Sequence, residues 1–297
     1  MNIFTIIVTY NGLKWVDFCL GSLRLSTIKT TPIIIDNCSV DGTTQYIAQQ
    51  YPEAILFEQK KNLGFGQANN IGLRYALEHN ADYVLLLNQD AAIAPNMLEL
   101  CLDQSDGKSL LSPIHMNGDG TCIDNSFRDF SLIKCTELIN DMFAENIKSY
   151  YSCGEICAAC WLLPISIIKK IGGFNPLFFH YSEDNNYYHR LIYHHVITRL
   201  IPEAKAFHDR EQFGNESAFN KQWLPGILKL NATNINLTLQ QRIIQYAHIL
   251  WQCYKYKLPK HQYKIGQYFL QIIKLISQYK KIRHSRYIEQ QENTTHL

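Results

Sequence analysis

Asn88-Gln89-Asp90 and His208 are of the residue types that can bind a divalent cation and, through it, a diphosphate. Asn88-Gln89-Asp90 follows the apolar run Tyr83–Leu87, so Asp90 is predicted at the tip of a buried strand. Mg²⁺ or Mn²⁺ is typically bound by one or two carboxylates together with phosphate oxygens. His208 could complete the metal shell as a neutral imidazole. Alternatively, Asp90 caps the helix beginning near Pro95, and His208 has a structural role.

Glu183-Asp184 is the candidate for acid–base chemistry. The pair follows the aromatic stretch Phe178-Phe179-His180-Tyr181, which could form the wall of an acceptor site. A carboxylate there could deprotonate an attacking hydroxyl. Adjacent residues on a helix point about 100° apart, so only one of the two can face a cleft. The alternative is an ordinary acidic first turn, which favours the helix dipole.

The elements that must position these residues are alternating strands and helices over about the first 100 residues. Apolar runs predict strands at 3–9, 32–36, 54–57 and 83–87, with helices between them. This order indicates an α/β, doubly wound parallel sheet, whose ligands lie beyond the carboxyl ends of the strands. Three predicted strand tips are polar and should meet at one cleft: Thr9-Tyr10-Asn11, Asp36-Asn37 and Asn88-Gln89-Asp90.

The later part of the chain gives weaker signals. Residues 105–151 show no clear pattern, residues 157–163 resemble a strand, and a short helix is predicted at 166–171. From about Leu224 the sequence becomes helical and basic. Residues 1–220 contain 16 Lys and Arg against 24 Asp and Glu, whereas residues 221–297 contain 12 against 2. We therefore predict a catalytic domain at 1–220 and a basic, mainly helical region at 221–297.

Composition and cysteine use narrow the class of protein. The chain has 297 residues, 46% hydrophobic and 18% charged, which is typical of a globular protein. No run approaches the roughly 20 apolar residues of a membrane span, and the N-terminus does not predict a signal peptide. Nine cysteines without a regular framework predict free thiols in a reducing cytoplasm. Cys153, Cys157 and Cys160 could suggest zinc, but a fourth ligand is not evident.

Taken together, these segments resemble the family 2 inverting glycosyltransferases, particularly the rhamnosyltransferase-like branch that builds bacterial surface polysaccharides. The matches occur in family order over roughly the first 210 residues. They are Ile7–Asn11, Ile35–Thr43, Asn62–Gly72, Leu86–Asp90, Gly172–Phe174, Phe178–Asp184 and His208.

The resemblance implies an A-type glycosyltransferase fold, Rossmann-like and mostly parallel, with a C-terminal helical appendage. It implies that one sugar, rhamnose or a related hexose, moves from a nucleotide-diphosphate donor to a hydroxyl of a surface polysaccharide or lipid-linked glycan. Asp184 is the implied base with Glu183 supporting it, and Asp90 with His208 the implied ligands of Mg²⁺ or Mn²⁺. Implied donor-nucleotide contacts are Thr9, Tyr10, Asn11, Asp36, Asn62, Gly64, Asn70 and Asn88. Implied acceptor-side residues are Trp161, Phe179 and Tyr181.

Two departures from the family pattern affect this interpretation. Gln89 replaces the usual proline between Asn88 and Asp90, which is expected to loosen the turn. Cys160-Trp161-Leu162-Leu163-Pro164 stands where an Arg-rich strand is common, so the acceptor contacts are open. The Gln-x-x-Arg-Trp signature of processive synthases is absent, so addition of a single sugar is expected.

Other functions are compatible with parts of the sequence. A sugar nucleotidyltransferase would use a similar sheet and metal, but Tyr10–Lys14 is a poor phosphate loop. A catalytically silent glycan-binding relative is a third class. The basic C-terminal region could dock on an anionic inner membrane surface, or could instead be a solvated bundle or a homodimer contact. Nucleic acid is not an expected partner.

Overall fold

The computed structural model describes residues 1–210, 216–255, 265–293 and 295–297, and gives the backbone alone for residues 216–223, 253, 254, 265 and 267. Within these ranges nine strands form one sheet. They are β1 (Ile3–Thr9), β2 (Thr31–Asp36), β3 (Ile55–Glu58), β4 (Tyr83–Leu87), β5 (Ala91–Ile93), β6 (Leu110–Asn117), β7 (Tyr151–Cys153), β8 (Cys160–Pro164) and β9 (Thr198–His208).

Helices flank the sheet and continue to the C-terminus. Those of the first half are α1 (Val16–Leu25), α2 (Thr43–Gln50), α3 (Phe65–Glu78), α4 (Met97–Asp103), α5 (Asn125–Phe130) and α6 (Thr136–Phe143). The later ones are α7 (Ile165–Ile171), α8 (Glu183–Tyr193), α9 (Glu216–Thr233), α10 (Leu239–Lys255), α11 (Ile265–Ser277) and α12 (Tyr279–Glu289). Short 3₁₀ turns occupy Leu13–Trp15 and Leu132–Lys134.

The sheet order explains where a ligand site can form. Strands run β3-β2-β1-β4-β8-β6-β9-β5, and β7 pairs with β9. The first four strands are parallel, as predicted. The chain proceeds outward from β1 to β3 and then crosses back to β4 on the other side of β1, which makes the β1–β4 boundary a topological switch point. The predicted polar tips of β1 and β4 flank that boundary.

The sheet is covered on both faces, which accounts for the apolar runs. In β8, Cys160 and Leu162 pack in the core on one face, while Trp161 and Leu163 pack in the core on the other. Successive strand residues point to opposite faces, so a strand buried on both sides has no solvent-facing side chains. Trp161 is 1% exposed for this reason.

Residues 105–151, for which the sequence predicts no helix or strand, contain β6, α5, α6 and the start of β7. β6 runs parallel to β9, and an irregularity in the pairing between Pro113 and Ile114 accompanies the interruption of its apolar pattern. A disulfide joins Cys135 before α6 to Cys153 in β7. The prediction that the cysteines are free thiols is therefore wrong for this pair. The two residues are 18 positions apart, and no local sequence pattern predicts that folding brings them together.

The C-terminal helices pack onto the body of the protein through buried polar contacts. Glu289 of α12 is fully buried beside Arg190 of α8, with 3.7 Å between Nε and Oε1. Asn175 donates a hydrogen bond to the same carboxylate at 2.7 Å. The backbone N–H of Gly173 donates to the carbonyl of Thr295 at 2.8 Å. The last described residues thus lie against the segment that precedes Glu183-Asp184.

Candidate active site

The tips of β1 and β2 form a buried polar pair. The parallel register sets Thr9 beside Asp36, and the Thr9 hydroxyl donates to Asp36 Oδ1 at 2.8 Å. The backbone N–H of Ser39 donates to Asp36 Oδ2 at 2.8 Å, and the Ser39 hydroxyl donates to Oδ1. A carboxylate can accept about four hydrogen bonds. Asp36 therefore retains capacity for one further donor, as contact with a nucleobase N–H would require.

The loop after β1 is held by its own Asn11 side chain and by Gln89 from the end of β4. Asn11 is in the left-handed region at φ 48°, and its side-chain oxygen accepts from the N–H of Val40 at 2.9 Å. Gln89 Oε1 accepts from the N–H of Tyr10 at 2.9 Å. A Cβ on Gly12 would collide with the Gln89 side chain. Gln89 thus ties the end of β4 to the end of β1, where a proline side chain could make no such hydrogen bond.

The loop before α3 packs against the loop before α8. Asn62 Oδ1 accepts from the N–H of Gly64 at 2.8 Å, and Asn37 donates to the Gly64 carbonyl at 3.3 Å. Gly64 has φ 81°, and a Cβ there would strike the carbonyl oxygen of Phe179. Only glycine fits both the conformation and the approach.

Asn70, predicted near the nucleotide, is 5% exposed and bound to backbone groups. Its oxygen accepts from the N–H of Phe174 at 2.7 Å. Its amide donates to the carbonyls of Phe174 at 2.8 Å and His296 at 3.1 Å. The structure thus places both amide donors of Asn70 on the segment 172–174 and the C-terminal residues.

The structure brings Asp90 and His208, the two predicted metal ligands, close together. β5 pairs antiparallel with the end of β9, with Ala91 opposite His208, so Asp90 lies next to the histidine. His208 Nε2 is 3.3 Å from Asp90 Oδ1. Asn88 Nδ2 lies 3.5 Å from the same nitrogen, and the buried Asn88 Oδ1 has no hydrogen-bond partner.

These donors fit a hard divalent cation whose shell is completed by its ligand. No group of three or more His, Cys, Asp or Glu side chains suited to a metal occurs among the described residues. Mg²⁺ and Mn²⁺ often take one or two protein ligands and fill the remaining positions with phosphate oxygens and water. A carboxylate, an imidazole and an unpaired amide oxygen nearby meet that need without a closed protein cage. Cys153, by contrast, forms a disulfide and is therefore not available as a zinc ligand.

Two residues behind His208 were not found from the sequence. Asp124 Oδ2 lies 4.0 Å from His208 Nδ1 and 3.0 Å from Arg210 Nε. Arg210 Nε donates to His208 Nδ1 at 3.2 Å. Because Nδ1 accepts this hydrogen bond, the proton of the neutral imidazole is on Nε2, facing Asp90. A cation on Nε2 requires the proton on Nδ1, where Asp124 is the nearby carboxylate that would accept it.

Asp124 had no sequence signal because it lies in the unassigned region, before a helix of only six residues. The one recognisable feature is its capping position: its Oδ1 accepts from the N–H of Phe127 at 2.8 Å. An N-cap aspartate is common in any helical protein. The capping pattern could therefore predict where α5 starts, but it could not predict that Asp124 lies beside His208.

Glu183 and Asp184 have different surroundings at the start of α8. Glu183 is 6% exposed, and its Oε2 has no hydrogen-bond partner. Burial, and then the charge of Asp184, raise the pKa of Glu183 to about 8. Asp184 is only partly buried, yet desolvation raises its pKa as well, against hydrogen bonds from the N–H groups of Asn185 and Ala158. Asp184 is thus the more accessible carboxylate of the two.

The segment 157–159 lies between the two halves of the site. The N–H of Asn88 donates to the carbonyl of Ala159 at 3.0 Å, and the carboxylate of Asp184 accepts from the N–H of Ala158. Asp124 and Arg210 contact His208, which contacts Asp90. The candidate base and the candidate metal ligands therefore belong to one continuous region rather than to opposite sides of the molecule.

The three predicted acceptor-side residues differ in position. Trp161 lies in the core and not on a cleft wall, because β8 is covered on both faces. Phe179 is 55% exposed. Tyr181 is half-buried and left-handed at φ 66°, and its ring lies 4.1 Å from that of His180. Of the three predicted acceptor-side residues, Phe179 and Tyr181 thus lie in the loop before α8, and Trp161 does not.

Comparisons with known proteins concern the family and the fold. Residues 5–172 match the model for "Glycosyl transferase family 2". An N-acetylglucosaminyl-diphospho-decaprenol L-rhamnosyltransferase of Mycobacterium tuberculosis is 25% identical over 228 residues, covering 68% of this chain and 74% of the relative. A dTDP-rhamnosyl transferase of Shigella flexneri is 20% identical over 210 residues, covering 70% and 69%.

A solved structure shows the same fold. The mannosyltransferase from Pyrobaculum calidifontis, in complex with GDP-Man and Mn²⁺, has a TM-score of 0.62 at 14% identity, covering 97% of this chain and 84% of that one. Because the family model spans more than half of the chain, the protein belongs to glycosyl transferase family 2 and is a glycosyltransferase. The predicted A-type fold, with its mostly parallel sheet and C-terminal helices, is confirmed.

No helix within the described ranges is both long and apolar enough to cross a bilayer.

Proposed function

We propose that the protein transfers one sugar, rhamnose or a related hexose, from a nucleotide-diphosphate donor to a hydroxyl of a lipid-linked or growing surface glycan. The observation that carries this proposal is the continuous region in which Asn88, beside Asp90 and His208, donates from its N–H to the carbonyl of Ala159, while the neighbouring N–H of Ala158 donates to the carboxylate of Asp184. The names of two relatives specify rhamnosyl transfer, and one of them specifies a lipid-diphosphate-linked acceptor. These names support the choice of sugar and acceptor.

In the proposed reaction Asp184 accepts the proton of the acceptor hydroxyl. That oxygen attacks the anomeric carbon, and the bond from this carbon to the diphosphate oxygen breaks on the opposite face, so the configuration inverts. The oxygen of the nucleoside diphosphate keeps the electron pair. A divalent cation held by Asp90 and His208 would neutralise charge on the departing diphosphate. A raised pKa suits Asp184 to this task, because a base stronger than an ordinary carboxylate accepts the proton more readily.

Glu183 is assigned a supporting role. With a pKa of about 8 it is mainly neutral at pH 7. A neutral neighbour does not repel the negative charge of Asp184, so Asp184 stays available as the base. Thr9, Tyr10, Asn11, Asp36, Asn62, Gly64 and Asn88 are proposed to bind the donor nucleotide. For Asn70 we propose an indirect role, since its amide holds the segment 172–174.

The domain division also remains a proposal. We assign the catalytic domain to residues 1–220 and a basic helical region to residues 221–297, although α9 runs through this boundary.

The test of the proposed function compares Asp184→Asn with the wild-type protein. Mn²⁺-dependent binding of dTDP-rhamnose should persist in the variant, while transfer to a lipid-diphosphate N-acetylglucosamine acceptor should fall by at least about a hundredfold. Asp129→Asn, at an exposed ion pair with Arg128, serves as the control. Retention of transfer by Asp184→Asn would remove Asp184 as the base. Release of pyrophosphate from a sugar phosphate and a nucleoside triphosphate would instead favour a nucleotidyltransferase.

A further inference from the structure

Helix α11 carries apolar side chains on more of its surface than the fold uses. Tyr268, Ile272 and Leu275 pack against Leu224 of α9 and its neighbours in a separate small core. Other large apolar side chains of α11 lie outside this core and are more than half exposed. They are Phe269 (52%), Leu270 (57%), Ile273 (61%) and Ile276 (67%). We call these four residues the outer stripe. A surface helix that is apolar on several faces indicates a partner beyond its own chain.

The outer stripe is accompanied by positive charge. Lys274 lies on the same helix, and the start of α12 adds the exposed Lys280, Lys281 and Arg283. The two acidic residues of the region 221–297 face the other way: Glu289 is buried beside Arg190, and Glu292 pairs with Lys170 at 3.1 Å. Both carboxylates of this region are therefore paired with residues of the catalytic half, and the exposed charged side chains of α11 and of the start of α12 are basic.

We propose that the outer stripe and its flanking basic residues dock on an anionic lipid surface. Apolar side chains at the level of the acyl chains, with lysines at the headgroups, are the pattern of a helix lying in a membrane interface. A second copy of the chain is the less favourable occupant. In a twofold dimer the same patch meets itself, so the basic residues of both copies would be brought together without an acidic partner.

The position of α11 connects this surface to the proposed reaction, and this step rests on the proposed function. Helix α9 lies between α11 and the loop that precedes Asp184. Lys229 of α9 donates to the carbonyl of Leu177 at 2.7 Å, and a Cβ on Gly226 would lie 2.9 Å from the hydroxyl of Ser182. Helix α9, about 10 Å across with its side chains, thus lies between α11 and the loop on the acceptor side. A lipid-linked acceptor in the same leaflet would meet the loop beside the candidate base.

The experiment measures sedimentation of the full chain with vesicles, without donor or acceptor. Binding to vesicles of phosphatidylglycerol and phosphatidylcholine should exceed binding to phosphatidylcholine alone by at least about tenfold, and should weaken as salt is raised. Phe269→Ser/Ile273→Ser and Lys280→Gln/Lys281→Gln should each lose about tenfold or more, since one lysine near an anionic surface contributes about fivefold.

Matched control variants come from the other half of the protein. Ile133→Ser/Phe143→Ser removes two exposed apolar side chains, and Lys60→Gln/Lys61→Gln removes two adjacent exposed lysines. Both should bind vesicles like the wild type. Equal binding by Phe269→Ser/Ile273→Ser and wild type would overturn the proposal. A wild-type dimer in light scattering that this variant converts to a monomer, with vesicle binding unchanged, would assign the surface to self-association instead.

The two proposals can fail separately. Mn²⁺-dependent dTDP-rhamnose binding should be retained by Phe269→Ser/Ile273→Ser. Loss of vesicle binding with donor binding intact supports the docking surface. Vesicle binding by a wild-type protein that binds no donor would leave the docking surface standing and reject the proposed function.

Discussion

At the scale of single residues, the candidate site depends on groups that hold other groups in place. Gln89 occupies a position where proline is expected. Its side chain holds the loop after β1 by accepting a hydrogen bond from the N–H of Tyr10. The expected loosening of the turn is offset by this hydrogen bond. Asp124 and Arg210 act similarly on His208, since they contact the ring nitrogen that faces away from Asp90.

Asp124 provides a test of that arrangement. Asp124→Asn removes the negative charge behind His208 but keeps a side chain that can cap α5. Mn²⁺ binding in the presence of dTDP, measured by electron paramagnetic resonance, should weaken about 10–100-fold, because the Nδ1 proton loses its carboxylate acceptor. Asp129→Asn, four residues from the start of the same helix and exposed, should bind Mn²⁺ like the wild type. Unchanged affinity in Asp124→Asn would exclude the orienting role.

Glu183 predicts a pH dependence of stability. Its pKa is raised from 4.5 to about 8 in the folded protein, so between these values the folded state holds a proton that the unfolded state has released. Stability from this residue is present below about pH 4.5 and is lost as pH rises toward 8. The slope can reach about 1.4 kcal/mol per pH unit.

Glu183→Gln should remove that slope. The difference in melting temperature between variant and wild type should grow from pH 5 to pH 8, with the variant more stable at the upper end. Glu137→Gln, whose side chain is 77% exposed, is the control and should leave the pH profile unchanged. Parallel melting curves for Glu183→Gln and wild type across this range would show that Glu183 is not buried as a neutral acid.

At the scale of elements, the parallel half of the sheet could be predicted because each strand there is a continuous apolar run that ends in polar residues. Thr9 and Asp36 could be placed together because parallel register aligns strand ends. Trp161 was misplaced because the sequence alone does not show that β8 is covered on both faces. The Cys135–Cys153 disulfide was missed because it depends on how α6 and β7 pack, which no period in residues 105–151 reveals.

The loop before α3 gives a prediction at this scale. Gly64→Ala places a Cβ against the carbonyl oxygen of Phe179 and also imposes a left-handed conformation on alanine. Gly107→Ala is the matched control, because Gly107 has φ 70° but nothing within 4 Å of a Cβ. The control should lose about 1–2 kcal/mol of unfolding free energy, and Gly64→Ala should lose clearly more. Urea denaturation measures both, and equal losses would mean that the loop adjusts without cost.

At the scale of the whole molecule, the C-terminal helices are held to the catalytic half by polar groups as well as apolar ones. The Glu289 carboxylate accepts from Asn175 at 2.7 Å and lies 3.1 Å from His296 Nε2. The carbonyl of the same residue lies 2.8 Å from His194 Nε2. These contacts fix α12 against the end of α8 and against the segment that precedes α8, so the proposed membrane-docking region and the candidate base are linked mechanically through one buried cluster.

This linkage predicts that the two regions unfold together. Glu289→Gln leaves the guanidinium of Arg190 fully buried without an opposite charge, because the side chains of both residues have 0% exposure. The expected loss of unfolding free energy is about 3–5 kcal/mol, with a single transition in urea followed by both tryptophan fluorescence and circular dichroism. Glu292→Gln breaks a pair whose carboxylate is 63% exposed and should cost less than about 1 kcal/mol. Two separated transitions in Glu289→Gln, with the first confined to helical signal, would show instead that the C-terminal helices unfold independently and that the Arg190–Glu289 contact does not couple them to the active site.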